Sequence, residues 1–207
     1  MIESPWLQIP IEDYEAHVAL PGIGQARMLA EELARAVSQI SARSIALVGC
    51  SGGNGIATLP ASVRRIVAID INPTYVETLR GRFGGLSALL ELFVADIQKG
   101  APPCPPVDLV FAGMIFEYVD VAATMTALRG LCAPQGMMAA VIQLPGESGQ
   151  FVSPSPFTSL QSLESGARTR SRQELERHAH GAGFRSCGAR TITSTGGKLF
   201  DVLYFHG

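Results

Sequence analysis

Charge is scarce in this chain. Asp, Glu, Lys and Arg make up 16% of its 207 residues, against 47% hydrophobic. That balance suits a sheet covered on both faces. A basic surplus is absent too: formal net charge is −2, so no nucleic-acid partner is expected. One local cluster, ARTRSR at 167–172, holds three arginines and reads as a solvated helix start. The four cysteines, Cys50, Cys104, Cys132 and Cys187, are scattered, with no C-x-x-C pair and no metal-ligand spacing. They predict reduced thiols, a cytoplasmic location and no metal. No uninterrupted apolar run approaches the ~18 residues of a membrane span. The opening MIESPWLQIPIEDYE is acidic and carries two prolines, unlike a signal peptide. No internal repeat is visible, and the length fits a single domain over 1–207.

What is present begins with SIALVGCSGGNG, residues 44–55. An apolar run feeds a glycine cluster, the pattern of a buried parallel strand ending in a loop where backbone approaches a ligand. RRIVAIDINP, 64–73, is a second apolar run, ending in Asp70. An acid about 20 positions after the glycine turn, at the tip of the next strand, is placed to accept hydrogen bonds from ribose hydroxyls. A helix N-cap is the other role open to Asp70, but Asn72, just before Pro73, is the better cap and leaves Asp70 free.

Strands are predicted at 44–49, 65–70, 91–95, 107–112 and 136–144, with a terminal hairpin around Gly196-Gly197. Helices are predicted at 26–40, in a short piece ending near Pro60, from Pro73, at 121–131, and over RSRQELERHAHGAGF. This alternation means an α/β protein with a doubly wound parallel sheet, closed by an antiparallel pair. Residues 1–43 form a helical lead-in, in which DYEAHVAL is a short helix of its own. Residues 146–166, rich in Ser, Gly and Pro, read as a long loop too polar for core.

The order of elements, from about residue 40 to the end, resembles the class I S-adenosylmethionine-dependent methyltransferases, and GNG, IDINP and IFEYVD resemble an uncharacterised prokaryotic subgroup. The resemblance implies a Rossmann-like sheet of seven strands whose last strand is antiparallel, with S-adenosylmethionine as cofactor. It implies cofactor contacts from Gly49, Cys50, Ser51 and Gly53 in the glycine loop, although Val48 stands where the family has an acid and Ser51 replaces a glycine. It adds Asp70, Ile71 and Asn72 around the ribose, Asp96 and Ile97 at the adenine, and Ala112 and Gly113 beside the methionine part. Asp96 has a simpler alternative as the cap of the next turn. The family has no universal catalytic residue, so none is assigned. Asp108, the histidines at 178, 180 and 206, and a solvated Lys198 are read as structural.

On the acceptor side, Glu117 is a general base, a binder of a substrate amino group, or an exposed carboxylate at a helix start. Tyr118 is pocket wall or ordinary packing. Tyr14 and His17 belong to a cap (1–43) over the pocket, or to a surface helix. Ser153 and Ser155, beside Phe151 and Phe157, make 146–166 a lid and substrate loop. The expected function is in-line methyl transfer to a small-molecule acceptor, with oligomeric state open. A non-catalytic module that binds the cofactor or a partner is the alternative. A nicotinamide-dependent oxidoreductase fits less well, because G-x-G-x-x-G counted from Gly49 meets Ser51 and Asn54.

Overall fold

The computed structural model describes residues 4–146 and 150–207. Seven strands form one sheet: β1 Ser44–Val48, β2 Arg65–Asp70, β3 Leu89–Val94, β4 Val107–Gly113, β5 Cys132–Gln143, β6 Arg185–Thr193 and β7 Leu199–His206. Their order is β3-β2-β1-β4-β5-β7-β6, and β7 runs antiparallel to both its neighbours. The expected seven-stranded, Rossmann-like sheet with an inverted last strand is therefore what the chain builds. Among the described residues, no helix is long and apolar enough to cross a membrane.

Alternation along the strands splits the core in two. Ala46 and Val48 of β1 face one way, with Met125 and Leu128 of α4 (Val121–Leu131) and Leu175 of α6 (Arg172–Gly181). Ile45 and Leu47 face the other way, with Leu33 and Val37 of α2 (Gln25–Ile40) and Leu79 of α3 (Pro73–Phe83). β1, β2 and β4 are in close register, Val48 lying beside Ile69 and Ala112. Their carboxyl ends thus share one edge. The chain runs outward from β1 through β2 to β3 and then crosses back to β4 on the other side of β1, so a crevice opens between β1 and β4.

One connection lacks the expected helix. The piece after the glycine loop is only a 3-10 turn, Ile56–Thr58. Gly55 packs against Ala30 and Leu33 of α2, which already covers that face. Between β3 and β4 lie a 3-10 turn, Ile97–Lys99, and the proline-rich stretch 102–106.

The 146–166 segment departs further from expectation. Residues 147–149 of it lie outside the described residues, as do residues 1–3 of the lead-in. Thr158–Leu160 is a 3-10 turn running into α5 (Gln161–Gly166). Leu160 and Leu163 are buried with Ile9, and Trp6, Tyr14, Tyr118 and Phe157 pack around them. The polar composition hid a small apolar core shared with the N-terminal segment, which comprises a 3-10 turn (Pro5–Gln8) and α1 (Ile11–Ala19).

The arginine cluster is not simply solvated. Arg170 donates to the carbonyls of Phe116 and Val119, at 2.8 Å each, and pairs with Glu174. Arg172 pairs with the buried Asp201 of β7. Asp108 is structural as expected: it accepts from the backbone N–H groups of Arg43 and Ser44, both at 2.9 Å, at the edge opposite the crevice. Because Arg170 ties the 114–120 loop to α6, Arg170→Ala should cost about 2–3 kcal/mol, the loss expected for charge-assisted bonds to carbonyls left behind. Urea unfolding measures it, and a change below about 0.5 kcal/mol, normal for a surface site, would show the tie to be idle.

Candidate functional site

The glycine loop is held from below. Gly49 and Cys50 donate backbone N–H bonds to the Ile69 carbonyl, at 2.9 and 3.2 Å. Asp70 then grips both sides of the crevice: one carboxylate oxygen accepts from Ser51 N–H and the other from Asn72 N–H, each at 2.9 Å. Only 7% of Asp70 is exposed. Burial pushes its carboxyl upward, and the N–H groups of Asn72, Ser51 and Ile71 oppose that. Asn72 does cap α3, accepting from Thr74 N–H, and its amide donates to the Trp6 carbonyl. Asp70 is consequently not free. Each oxygen nevertheless keeps a further lone pair.

The glycines answer to neighbouring protein. Gly49 has φ +72°, and a Cβ there would sit 2.5 Å from Ile115. A Cβ on Gly52 would collide with both Glu15 and Arg82. Those two form an ion pair between α1 and α3, Arg82 Nη2 to Glu15 Oε2 at 2.8 Å, and Arg82 also donates to the Gly52 carbonyl. Ser51, at φ +46°, takes a left-handed conformation that a side chain seldom adopts, the kind of strain that collects at functional sites.

Above this edge lies a cavity of about 1080 Å³. Of the residues picked from the sequence, Gly49, Ser51, Asp70, Ile71, Asp96, Ile97 and Gly113 line it, and so do Tyr14, His17, Glu117 and Tyr118. Cys50, Gly53, Asn72, Ala112, Ser153 and Ser155 stand behind that lining. Cys50 and Ala112 are in the core, Gly53 is against Phe83, and Ser155 backs His17, whose Nδ1 it meets at 2.9 Å. Asp96 does two things at once: it lines the cavity and caps the Ile97–Lys99 turn through Gln98 N–H.

Phe151 of the expected substrate loop lines the cavity, and Trp6, Tyr75, Met114, Gln143 and Arg168 also line it and were not anticipated. Trp6 stacks edge-on with Tyr14 and with Tyr118, and Tyr14 lies over Tyr75. Trp6 had a signal, being the only tryptophan and outside every predicted strand. The roof is fastened by side chains distant in sequence. Asp13 accepts from Ser159 at 2.5 Å. Lys198 donates to the carbonyls of Gln150 and Phe151. It is therefore a fastener, contrary to its reading as solvated. Burial first, and then the Lys198 charge, holds His17 below the usual histidine range.

Glu117 is neither exposed nor at a helix start. α4 begins at Val121, capped by Asp120, which accepts from Ala123 N–H. Glu117 is 1% exposed. Its Oε1 accepts from Gln143 N–H at 2.7 Å, whereas Oε2 has no partner among the described residues. Burial pushes the carboxyl up to about 7, against the pull of Gln143 N–H, its own N–H and Arg170.

Residues 47–138 match the family model of a methyltransferase domain. The chain has the class I methyltransferase fold, and the match to the methyltransferase domain lies within it. The chain aligns with the N-methyltransferase NodS from Bradyrhizobium japonicum WM9 in complex with S-adenosyl-L-homocysteine, at TM-score 0.68 and 12% identity, over 95% of this chain and 97% of that one. It aligns with a possible exported protein from Bordetella parapertussis at TM-score 0.72 and 16% identity, over 97% and 80%. The [4+2]-cyclase SpnF aligns at TM-score 0.67 and 14% identity, over 87% and 80%. At such identities the likeness to each is one of fold. A search of the curated proteins gave no match.

Two outcomes follow for the chain. The carboxyl of Glu117 has an ordinary value of 4.5 and stands at about 7 in the folded chain. Between those values the folded state binds more protons than the unfolded one, so stability falls as pH rises. Glu117→Gln removes that loss, and the variant should gain about 3 kcal/mol on the wild type from pH 4 to pH 8. Denaturation at several pH values tests this, and a pH-independent difference would contradict it. Gly52→Ala should break the Glu15–Arg82 pair and speed hydrogen exchange in α1, leaving the sheet amides unchanged; equal exchange in α1 would mean that the pair does not hold the cap.

Proposed function

We propose that the chain is an S-adenosylmethionine-dependent methyltransferase acting on a small-molecule acceptor. The observation that carries this reading is Asp70: a buried carboxylate with lone pairs to spare, lining a large cavity beside a glycine loop at the switch point of the sheet. A ribose diol fits that carboxylate, because each hydroxyl donates to one oxygen. Ile97 offers an apolar surface and Asp96 an acceptor for an adenine, while Gly49 and Gly113 line the region of the cavity left to the methionine part. When bound, the cofactor supplies an electrophilic methyl on a sulfonium, which is already a good leaving group. The chain's residues then have to align an acceptor and exclude water. The roof of Trp6, Tyr14 and Phe151 suits the second task, with residues 1–43 as a cap and 146–166 as a lid. A cavity of about 1080 Å³ exceeds what one drug-sized ligand usually fills, which supports two small occupants rather than a polymer. Four scattered free cysteines support a cytoplasmic location.

A second reading, binding without methyl transfer, draws on Val48 and Ser51, which depart from the family pattern in the glycine loop. Thermal unfolding with S-adenosylmethionine, S-adenosylhomocysteine, NAD and NADP tests the cofactor. At 100 times the dissociation constant a ligand adds about 2.7 kcal/mol, a rise of roughly 5–10 °C for a chain of this size. The two sulfur compounds alone should produce it. A shift confined to NAD or NADP would overturn the proposal. Asp70→Asn should weaken S-adenosylhomocysteine by about 1–3 kcal/mol, and calorimetric affinity equal to wild type would remove Asp70 from the ribose role.

A further inference from the structure

We propose that Glu117 and the aromatic chain Trp6, Tyr14 and Tyr118 form a seat for a protonated amine, so that the methyl acceptor is a small amine carrying an apolar group. The inference rests on the methyltransferase reading and deepens it.

The position comes from the sheet. Asp70 ends β2, and Glu117 is bonded to the end of β5 through Gln143 N–H. β1 and β4 lie between them, so three strand spacings separate the two carboxylates, about 14 Å. A cofactor with its ribose at Asp70 leaves the β4–β5 side of the cavity to the acceptor. Glu117 stands on that side.

The chemistry comes from what is missing around Glu117. Buried acceptors are nearly always satisfied. Oε2 of Glu117 has no partner, and Glu117 is the only residue of the cavity lining with such an atom among the described residues. A donor brought by a ligand completes it. The cations on the lining, Lys99 and Arg168, are exposed, where solvent and salt screen them. The interior carries the carboxylates of Asp70, Asp96 and Glu117, and His17 is held toward its neutral form. An anionic acceptor would meet no buried cation on the lining: behind it, Arg170 is taken up by Glu174 and the carbonyls of Phe116 and Val119, and Lys198 by the carbonyls of Gln150 and Phe151. An ammonium would meet a carboxylate and the aromatic rings of Tyr118 and Trp6, the surroundings that favour cations. Burial also gives Glu117 a second use. An ammonium has no lone pair until it loses a proton; Oε2 takes that proton, and the electron pair left on nitrogen becomes the nucleophile.

The test is calorimetry at pH 8 on the full chain with S-adenosylhomocysteine, using three probes of one shape: phenethylamine, phenethyl alcohol and 3-phenylpropionate. The amine should bind at least about tenfold more tightly than the alcohol, and the carboxylate more weakly than either. Glu117→Gln should erase the amine preference and leave S-adenosylhomocysteine affinity unchanged. Trp6→Ala should weaken the amine without affecting S-adenosylhomocysteine. An alcohol or carboxylate that binds as well as the amine overturns the proposal, as does the absence of amine binding. A Glu117→Gln chain that keeps the preference, or that loses S-adenosylhomocysteine, overturns it too; the latter result would assign Glu117 to the cofactor. If the variant does not fold, the ranking of the three probes on the wild-type chain decides. Failure of S-adenosylhomocysteine to bind the wild type would be a failure of the methyltransferase reading instead, and the ranking without it still judges the amine seat.

Discussion

The grip of Asp70 on two backbone N–H groups is the constraint from which the site is built. One bond fixes the glycine loop after β1, and the other fixes the turn into α3. With both ends of the crevice held to one carboxylate, the loop cannot widen without leaving a buried acceptor unsatisfied. Asn72 extends the grip upward, because the side chain that caps α3 also holds the Trp6 carbonyl. The roof is thereby referenced to the same turn as the floor. A group that binds the remaining lone pairs of Asp70 acts on loop, helix and roof together.

Much of the fold was legible because strands and loops in a buried parallel sheet announce themselves. Ile45–Val48, Ile66–Ile69 and Leu109–Ala112 are continuous apolar runs ending in glycine or an acid, and each became the strand expected of it. The terminal hairpin was legible from Gly196-Gly197, but β6 begins at Arg185. Its residues are mostly exposed at a sheet edge, so no apolar period marked its first half. The missing helix after the glycine loop could not be seen, since the cause is spatial: α2, earlier in the chain, already fills that face.

The site was legible where local sequence dictates position, and obscure where side chains from distant segments meet. Gly49, Asp70 and Asp96 follow from strand ends. Glu117 was picked from its place after β4, but its burial depends on Arg168, Arg170 and Gln143, none of which is near it in sequence. Lys198 was misjudged for the same reason: a lysine beside two glycines looks solvated until the carbonyls of Gln150 and Phe151 arrive. Ser153 and Ser155 had the polarity of ligand contacts, yet Ser155 turned to His17.

The fastening of the roof has a consequence for how the protein comes into being. Its bonds join residues 13 and 159, 17 and 155, and 151 and 198, all but the last far apart in sequence. Contacts of such separation form late, after the loops between them have closed. During synthesis, the glycine loop and Asp70 emerge from the ribosome long before Lys198, whose hairpin anchors Phe151. The nascent chain therefore carries the glycine loop and Asp70 before the hairpin that fastens their cover. Enclosure, and with it any chemistry that requires water to be shut out, belongs only to the chain whose final hairpin has joined the sheet.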